Sequence, residues 1–152
     1  MHGVLVDTSF LMRLMKADEQ LHANANAWFK ELLARKVPMY LSTIVVAEWC
    51  VKGSFDELPV RNLRMLPFNV EHARRAGPLT DVLLRVRDKG EPGERNIVLN
   101  DMKLLAQAEA TAGISHILTK DGDHAKHIAR LRAEGQVVAT QVLDLNVPMA
   151  QV

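Results

Sequence analysis

Residues 3–15 read GVLVDTSFLMRLM, and their pattern indicates a strand that leads directly into a helix. The apolar run GVLVD, residues 3–7, is short enough for a strand that is buried on both faces. Thr8 and Ser9 follow it, and both residue types commonly cap the amino end of a helix. Apolar side chains then recur at helical spacing as far as Met15.

The same alternation of strand and helix continues along the 152 residues. Alternating strands and helices favour a parallel β-sheet that is covered by helices on both faces. No repeat or flexible linker divides the sequence, so we predict one α/β domain over residues 1–152. Gly77 and Pro78 weaken one of the helical patterns. The remaining predicted elements are helices over residues 25–33, 42–53, 70–87, 102–113 and 120–135, and strands over residues 39–41, 63–68, 114–119 and 136–143.

The composition limits the class of protein. The formal net charge is +1, so a nucleic-acid partner would have to be bound by a local basic patch or through metal. Cys50 is the single cysteine and no secretion signal is recognisable, which favours a cytoplasmic protein without disulfides. No apolar run reaches the roughly 18 to 20 residues that cross a bilayer. We therefore predict no membrane association.

Three carboxylates fall where predicted strands end or predicted helices begin. Asp7 closes the first strand, Asp101 begins a helix, and Asp121 follows the strand that ends in ILT. The crevice beyond the carboxyl ends of the strands is the usual functional site in an open parallel sheet, so we expect the three to converge there. Glu48 lies in the apolar stretch IVVAEWCV, where an ionised carboxylate is costly unless a metal or a hydrogen-bonded partner compensates.

Clustered carboxylates indicate a bound cation. They repel one another, and without a cation some of them bind protons instead of staying charged. Oxygen ligands suit a hard divalent ion such as Mg²⁺ or Mn²⁺, commonly held by few carboxylates together with water and substrate phosphate. Such an ion lowers the pKa of water and stabilises charge that builds on a phosphate. The acids therefore predict phosphodiester hydrolysis with Mg²⁺ or Mn²⁺ as cofactor.

Three motifs, taken in order, resemble those of the PIN-domain ribonucleases, and more narrowly of the VapC-type toxins of toxin–antitoxin pairs. VLVDTSFL is similar to the family's opening strand with its Asp and nearby hydroxyl. STIVVAEW is similar to the helix that bears the second acid. NDMKLLAQAEATAGISHILTKDGDH is similar to the closing Asp, Ala-rich helix, strand and Thr-x-Asp element. The resemblance spans nearly the whole chain.

The resemblance implies a PIN-like three-layer fold, with a central parallel β-sheet flanked by helices, and a metal-dependent endoribonuclease. It also implies RNA as substrate, a small antitoxin protein as partner, and a homodimer. The apolar stripe of residues 10–15 is a candidate surface for the homodimer or for the antitoxin. By the same resemblance, the catalytic and metal-binding roles fall on Asp7, Glu48, Asp101 and Asp121, with Ser9, Thr119 and Asn100 as supporting polar groups.

The sequence departs from the family pattern in two regions. Asp123 lies two residues after Asp121 and could replace it or add a metal ligand, and His124 stands where many relatives have an aromatic residue. The loop DKGEPGERN, with Glu91 and Glu94, is longer and more charged than the resemblance implies. We expect this loop to shape substrate access.

Each acid also fits a structural role. Four unrelated structural roles give no reason for the acids to fall at one sheet edge, so their joint occurrence favours a metal site. The structural alternatives are a helix cap for Asp7 and for Asn100 with Asp101, a buried ion pair for Glu48, and a turn for Asp121 with Asp123.

The last predicted helix combines basic residues and histidines. Lys120, Lys126 and Arg130 suit contacts to a nucleic-acid backbone, although charged helix faces are commonly only solvated. His124 and His127 are three residues apart and could bind a transition metal, but no third nitrogen or sulfur ligand lies nearby in sequence. We therefore predict that the two histidines face solvent.

Two other classes of protein remain open. A non-catalytic RNA- or protein-binding module on the same fold would keep the carboxylates as a structural metal site. A phosphoacceptor receiver domain also gathers acids at a sheet edge and binds Mg²⁺, but it needs paired acids after the first strand. This sequence has only Asp7 there, and Lys120 is a loose match to the receiver's late lysine.

Overall fold

The protein is described by a computed structural model that covers residues 1–86 and 94–149. The strands in this part of the chain are β1 (Val4–Val6), β2 (Met39–Ser42), β3 (Arg64–Leu66), β4 (His116–Thr119) and β5 (Gln141–Asp144). They form one parallel sheet in the order β3-β2-β1-β4-β5. The predicted α/β class and the parallel sheet are therefore confirmed.

Helices cover both faces of this sheet. With right-handed crossovers, the three helices before β3 lie on one face of the sheet and the three after β3 lie on the other. The contacts between helices agree with this placement, because the first helix packs against the second and third, and the fourth packs against the fifth and sixth. The result is the predicted three-layer arrangement. The described helices are α1 (Thr8–Met15), α2 (His22–Ala34), α3 (Thr43–Trp49), α4 (Val70–Val86), α5 (Glu94–Ala110) and α6 (Asp123–Ala133), with short 3-10 turns at Phe55–Glu57 and Val60–Asn62.

The central strand β1 explains why residues 3–7 are so apolar. All three of its side chains are fully buried, because helices cover them from both sides. Leu5 pairs with Tyr40 of β2 on one side and with Ile117 of β4 on the other. The hydrophobic core therefore lies on both faces of β1, with Phe10 and Trp28 among its largest fully buried members. Because Phe10 and Leu11 are fully buried, they cannot belong to the contact surface that was predicted over residues 10–15.

Polar side chains cap two of the helices, and the cap of α1 is Asp7 instead of Thr8 or Ser9, which lie inside the helix. The Asp7 carboxylate accepts a hydrogen bond from the Phe10 amide at 2.9 Å, which caps α1. The Ser42 hydroxyl accepts from the Ile44 amide at 3.0 Å and caps α3. The predicted helix over 42–53 is too long, however, since α3 ends at Trp49 and the following residues form turns.

The predicted start of the fifth helix is wrong. Asn100 and Asp101 do not begin or cap α5, because the helix already starts at Glu94. Val98 is buried one turn before the buried Met102, so the core-facing stripe extends upstream of the pair that resembled a cap. Of the predicted loop at 88–96, residues 88–93, including Glu91, lie outside the described residues.

Two further predictions are corrected by packing. α4 runs without a break through Pro78, since its contacts with α5 and α6 outweigh the local weakness of Gly77 and Pro78. The last strand begins at Gln141 instead of residue 136, because its register is set by pairing with β4, where Gln141 lies opposite His116. Among the residues in view, no helix is both long and apolar enough to cross a membrane.

The order of the strands creates one crevice. The chain leaves β1 for β2 on one side, and after β3 it returns to β4 on the other side of β1. The connections from β1 and β4 therefore diverge to opposite faces, which opens a crevice beyond the carboxyl ends of these two strands.

We predict that Leu5→Ala lowers the free energy of unfolding by about 2–5 kcal/mol, because it leaves a cavity at the centre of the sheet. Leu33→Ala is the matched control, since Leu33 on α2 is 39% exposed, and it should change stability by about 0.5 kcal/mol or less. Urea denaturation measures both. Equal losses in the two variants would contradict the placement of β1 in the core.

Candidate active site

The crevice between β1 and β4 is lined first by Asp7 and Thr119. Val6 pairs with Leu118, so the residues that follow them lie side by side at the carboxyl ends of the two strands. The Asp7 amide also donates to the Leu118 carbonyl at 3.3 Å. The pairing thus fixes Asp7 relative to β4 before any side chain contributes.

Hydroxyl groups hold both oxygens of the Asp7 carboxylate. Ser9 donates to Oδ1 at 2.6 Å, and Thr119 donates to Oδ2. The Lys120 amide donates to Ser9 Oγ at 2.9 Å, and the Asp121 amide donates to Thr119 Oγ1 at 2.9 Å, so each hydroxyl is oriented in turn by backbone. Ser9 and Thr119 therefore both contact the first acid.

Burial raises the pKa of Asp7 above its ordinary value of 3.8. The residue is only 5% exposed, and loss of water disfavours the charged form of its carboxyl group. Hydrogen bonds from the Ser9 and Thr119 hydroxyls, the electrostatic interaction with His124 and the hydrogen bond from the Phe10 amide each oppose this effect. Without a cation, ionisation of Asp7 is therefore more costly than ionisation of an exposed carboxyl group.

Asp101 approaches Asp7 from the middle of α5. His124 Nε2 lies 3.6 Å from Asp101 Oδ1 and 3.8 Å from Asp7 Oδ2, so both carboxylates face the same point. Asp101 Oδ2 is buried and has no hydrogen-bond partner among the residues described. His127 Nδ1 lies 3.3 Å away but is not aligned for a hydrogen bond.

The prediction that His124 and His127 face solvent is wrong. His124 is 4% exposed and the side chain of His127 is 13% exposed, so they face the acids instead of solvent. The reason lies in the phase of α6, since the buried Ile128 and Leu131 extend the stripe that begins at His124. An imidazole therefore lies beside Asp7, with His124 Nε2 at 3.8 Å from Asp7 Oδ2.

The expected burial of Glu48 is wrong. Val45 and Trp49, four residues apart, take the core face of α3, which turns Glu48 to the solvent-facing side of the helix. Its carboxylate accepts a hydrogen bond from the Thr8 hydroxyl and borders the cleft that Asp7 and Asp101 also line. The exposed position removes both the desolvation cost and the alternative of a buried ion pair.

Asp121 and Asp123 differ in position. Asp121 lines the cleft, whereas Asp123 lies in the first turn of α6, where its amide donates to Asp121 Oδ1 at 3.3 Å. Asn100 also lines the cleft, and its side-chain oxygen accepts from Lys103 at 3.4 Å. The acids Asp7, Glu48, Asp101 and Asp121 thus border one cleft of about 240 Å³.

Arg13 is a cleft residue that the sequence prediction missed. It donates to the Ser9 carbonyl at 3.2 Å, and its Nε is buried without a hydrogen-bond partner in the described part of the chain. Its place four residues after Ser9 on α1 was the available signal, because that spacing puts both on one helix face. Lys120, Lys126 and Arg130 are exposed, in agreement with either of their predicted roles.

The donor atoms fit a hard cation held by few protein ligands. Over residues 1–86 and 94–149, no three His, Cys, Asp or Glu side chains meet in a geometry that would hold a metal ion. Mg²⁺ does not require three, since it is commonly bound by one or two carboxylates with water and phosphate. The unpartnered Oδ2 of Asp101 and the buried carboxylate of Asp7 are suitable oxygen donors.

Sequence and structure comparisons identify similar proteins. A model of the PIN domain matches residues 4–131. No curated protein sequence matches the chain. The VapC20 toxin of Mycobacterium tuberculosis, described as cleaving the sarcin-ricin loop, is 23% identical over 91% of this chain and 99% of its own, with a TM-score of 0.57.

Two complexes give the same result. VapBC2 from Rickettsia felis, bound to a DNA fragment from its promoter, is 16% identical over 93% of this chain and 97% of the matched chain, with a TM-score of 0.56. VapBC-1 from nontypeable Haemophilus influenzae is 16% identical over 95% of this chain and 98% of the matched chain, with a TM-score of 0.60. At these identities the likeness shows the fold alone.

We predict that Asp7→Asn stabilises the metal-free protein at neutral pH. Because the folded-state pKa of Asp7 is raised, its contribution to stability is present below pH 3.8 and is lost as the pH rises through the folded pKa. Asparagine removes that loss and still caps α1. In EDTA at pH 7.5, we expect Tm to rise by about 2–4 °C for each kcal/mol gained.

Calorimetry across the pH range provides the check. The gain in Tm should shrink as the pH falls towards 3.8. Asp81→Asn is the control, since that side chain is 69% exposed on α4 and lies outside the cleft. An Asp7→Asn protein that melts below the parent at every pH would show that the carboxylate is not under strain from burial.

Proposed function

The chain belongs to the PIN-domain family, and from that premise we propose that residues 1–152 form a single metal-dependent endoribonuclease domain that hydrolyses RNA phosphodiester bonds. The observation that carries the proposal is the convergence of Asp7 and Asp101 on one point inside a crevice at the strand ends. The shared point is His124 Nε2, and since two carboxylates in one cleft repel each other, a bound cation would offset that repulsion.

A divalent cation, Mg²⁺ or Mn²⁺, is the proposed cofactor. Asp7 and Asp101 would hold it, with Glu48 and Asp121 contributing from the sides of the same cleft. When bound, the ion supplies positive charge against phosphate oxygens and lowers the pKa of water for attack on phosphorus. Asp123 is the weaker candidate, because it does not line the cleft.

The surrounding residues prepare the acids and the substrate. Ser9 and Thr119 fix both oxygens of Asp7, so that its carboxylate needs little reorganisation when an ion binds. Arg13 brings a permanent cation to the cleft, suited to a phosphate oxygen of RNA. Lys126 and Arg130 on the exposed face of α6 would contact phosphates further along the strand.

The biological setting follows from the relatives. The similar chains include a toxin described as cleaving the sarcin-ricin loop and VapBC complexes. We therefore propose that this chain is the toxin of a type II toxin–antitoxin system in the cytoplasm, neutralised by a small antitoxin protein and assembled as a homodimer. Growth arrest on expression of the chain alone, relieved by the antitoxin, would support this setting.

A non-catalytic binding module is the second candidate. This candidate is favoured because no three potential metal ligands meet within the described residues, and because the Glu48 carboxylate accepts a hydrogen bond from Thr8. Such a module would be stabilised by Mg²⁺ or Mn²⁺ and would bind RNA without cutting it. RNA cleavage that requires Asp7 separates the two candidates.

We predict that Asp7→Asn and Asp101→Asn each reduce RNA cleavage by at least about 100-fold, a loss of roughly 2.7 kcal/mol of transition-state stabilisation. Labelled total RNA and a matched single-stranded DNA, incubated with Mg²⁺, Mn²⁺ or EDTA, provide the assay. The control Asp81→Asn should cut like the parent. Parent-level cutting by Asp7→Asn would refute the proposed site, and no cutting by any protein would favour the binding module.

We also predict that replacing Lys126 and Arg130 by alanine weakens RNA binding mainly at low salt. Each phosphate contact contributes about 0.7 to the slope of log affinity against log salt for single strands, so the slope should fall by about 1.4. Binding is measured in EDTA to prevent cleavage. Lys30→Ala with Arg35→Ala, two exposed changes near the end of α2, is the control. An unchanged slope in the α6 variant would show that this face is only solvated.

A further inference from the structure

An apolar groove continues from the acid cleft along the first helix. It lies between α1 and the segment formed by the end of α3 and the turns up to Glu57, and it encloses about 410 Å³. We propose that this groove, termed the α1–α3 groove, binds a nucleobase of the RNA next to the cleaved phosphate. The proposal rests on the proposed nuclease function and adds to it a site that selects the base.

Shared walls connect the groove to the acids. Thr8, Met12 and Glu48 line both the α1–α3 groove and the cleft that contains Asp7 and Asp101. A phosphate in the cleft therefore has its neighbouring nucleoside at the mouth of the groove. An RNA strand presents phosphate and base together, which matches one acidic and one apolar compartment side by side.

The lining suits a flat aromatic ring. Met12, Met15 and Trp49 supply two thioethers and an indole, and thioether sulfur packs favourably on aromatic rings. Val51 also lines the groove and is 77% exposed, so it is within reach of a ligand. The volume falls within the range of about 300–1,000 Å³ that is typical of small-molecule sites.

The lysines of the lining favour a nucleotide of RNA as the molecule that carries the aromatic ring. Lys16 and Lys52 line the groove and are exposed to solvent. The two acidic groups of the lining are already hydrogen-bonded, Glu57 to the Ser54 amide at 2.6 Å and Glu48 to the Thr8 hydroxyl. Two exposed ammonium groups beside an apolar floor complement a nucleotide better than a purely apolar protein segment.

The groove is also rigid on its α3 side. Trp49 Nε1 donates to the Ser54 carbonyl at 3.0 Å, which fixes the indole plane. A Cβ on Gly53 would come within 2.7 Å of the Trp49 ring, so the backbone packs directly on the indole. A preformed wall reduces the entropy lost when a base binds.

Methyl NMR of selectively labelled methionines tests the groove without any catalysis. The parent protein in EDTA is titrated with each of the four ribonucleoside 5′-monophosphates. We expect saturable shifts of the Met12 and Met15 methyl groups with at least one nucleotide. Met15→Trp, which fills the groove, and Val51→Glu, which adds a repelling charge, should each weaken that binding by at least about fivefold, as expected for loss of one base contact.

Val137→Glu is the matched control, because it makes the same change at a valine that is 92% exposed and outside the groove. Its nucleotide affinity should equal that of the parent. Absence of methyl shifts with all four nucleotides, or parent-like affinity in both groove variants, would overturn the proposal and leave the groove to a protein segment.

An RNA cleavage assay then tests the base-binding groove and the nuclease activity separately. Met15→Trp should change which sites in a long RNA are cut, whereas Val137→Glu should not. Normal cutting with unchanged site preference in Met15→Trp would remove the base-selecting groove but keep the nuclease. Nucleotide binding in the groove of a parent protein that cuts no RNA would keep the groove and remove the nuclease.

Discussion

The parallel pairing of β1 with β4 is the constraint on which the site depends. It joins strands that are more than a hundred residues apart in sequence and brings Asp7 beside Thr119. Because the connections from these strands leave towards opposite faces of the sheet, the space beyond them stays open. α5 and α6 then close that space from one side with Asp101 and His124. A site of several carboxylates is thus assembled by backbone pairing more than by attraction among its members.

Sequence patterns predict the parts of the site that follow strands directly. The apolar run of β1 and the hydroxyls after it predict the position of Asp7, and the end of β4 predicts the positions of Thr119 and Asp121. A residue at the end of a strand lies at the edge of the sheet whatever the rotation of the neighbouring helices. Residues on helices are harder to place, since their direction depends on helical phase. IVVAEWCV is apolar on both sides of Glu48, so the pattern gives no phase, and packing of Val45 decides it.

The same limit explains His124, His127 and Arg13. The sequence pattern of His124, His127 and Ile128 does not show whether this face of the helix is buried or exposed to solvent, because that depends on the neighbouring helix. Contact with α4 and with the acids settles the matter for α6. Asp101 illustrates a different failure, because a polar pair before an Ala-rich helix resembles a cap, yet here it projects from the middle of the helix into a cleft.

Asp7 serves the fold as well as the site, since its Oδ1 receives the Phe10 amide at the start of α1. Alanine at this position would therefore cost about 0.5–2 kcal/mol of helix capping, whatever happens to the chemistry. Descendants of this chain that have lost activity are consequently expected to drift to asparagine, serine or threonine at position 7, all of which keep the cap. A polar residue retained there reports selection for folding, and it cannot by itself distinguish a working copy from a degenerate one.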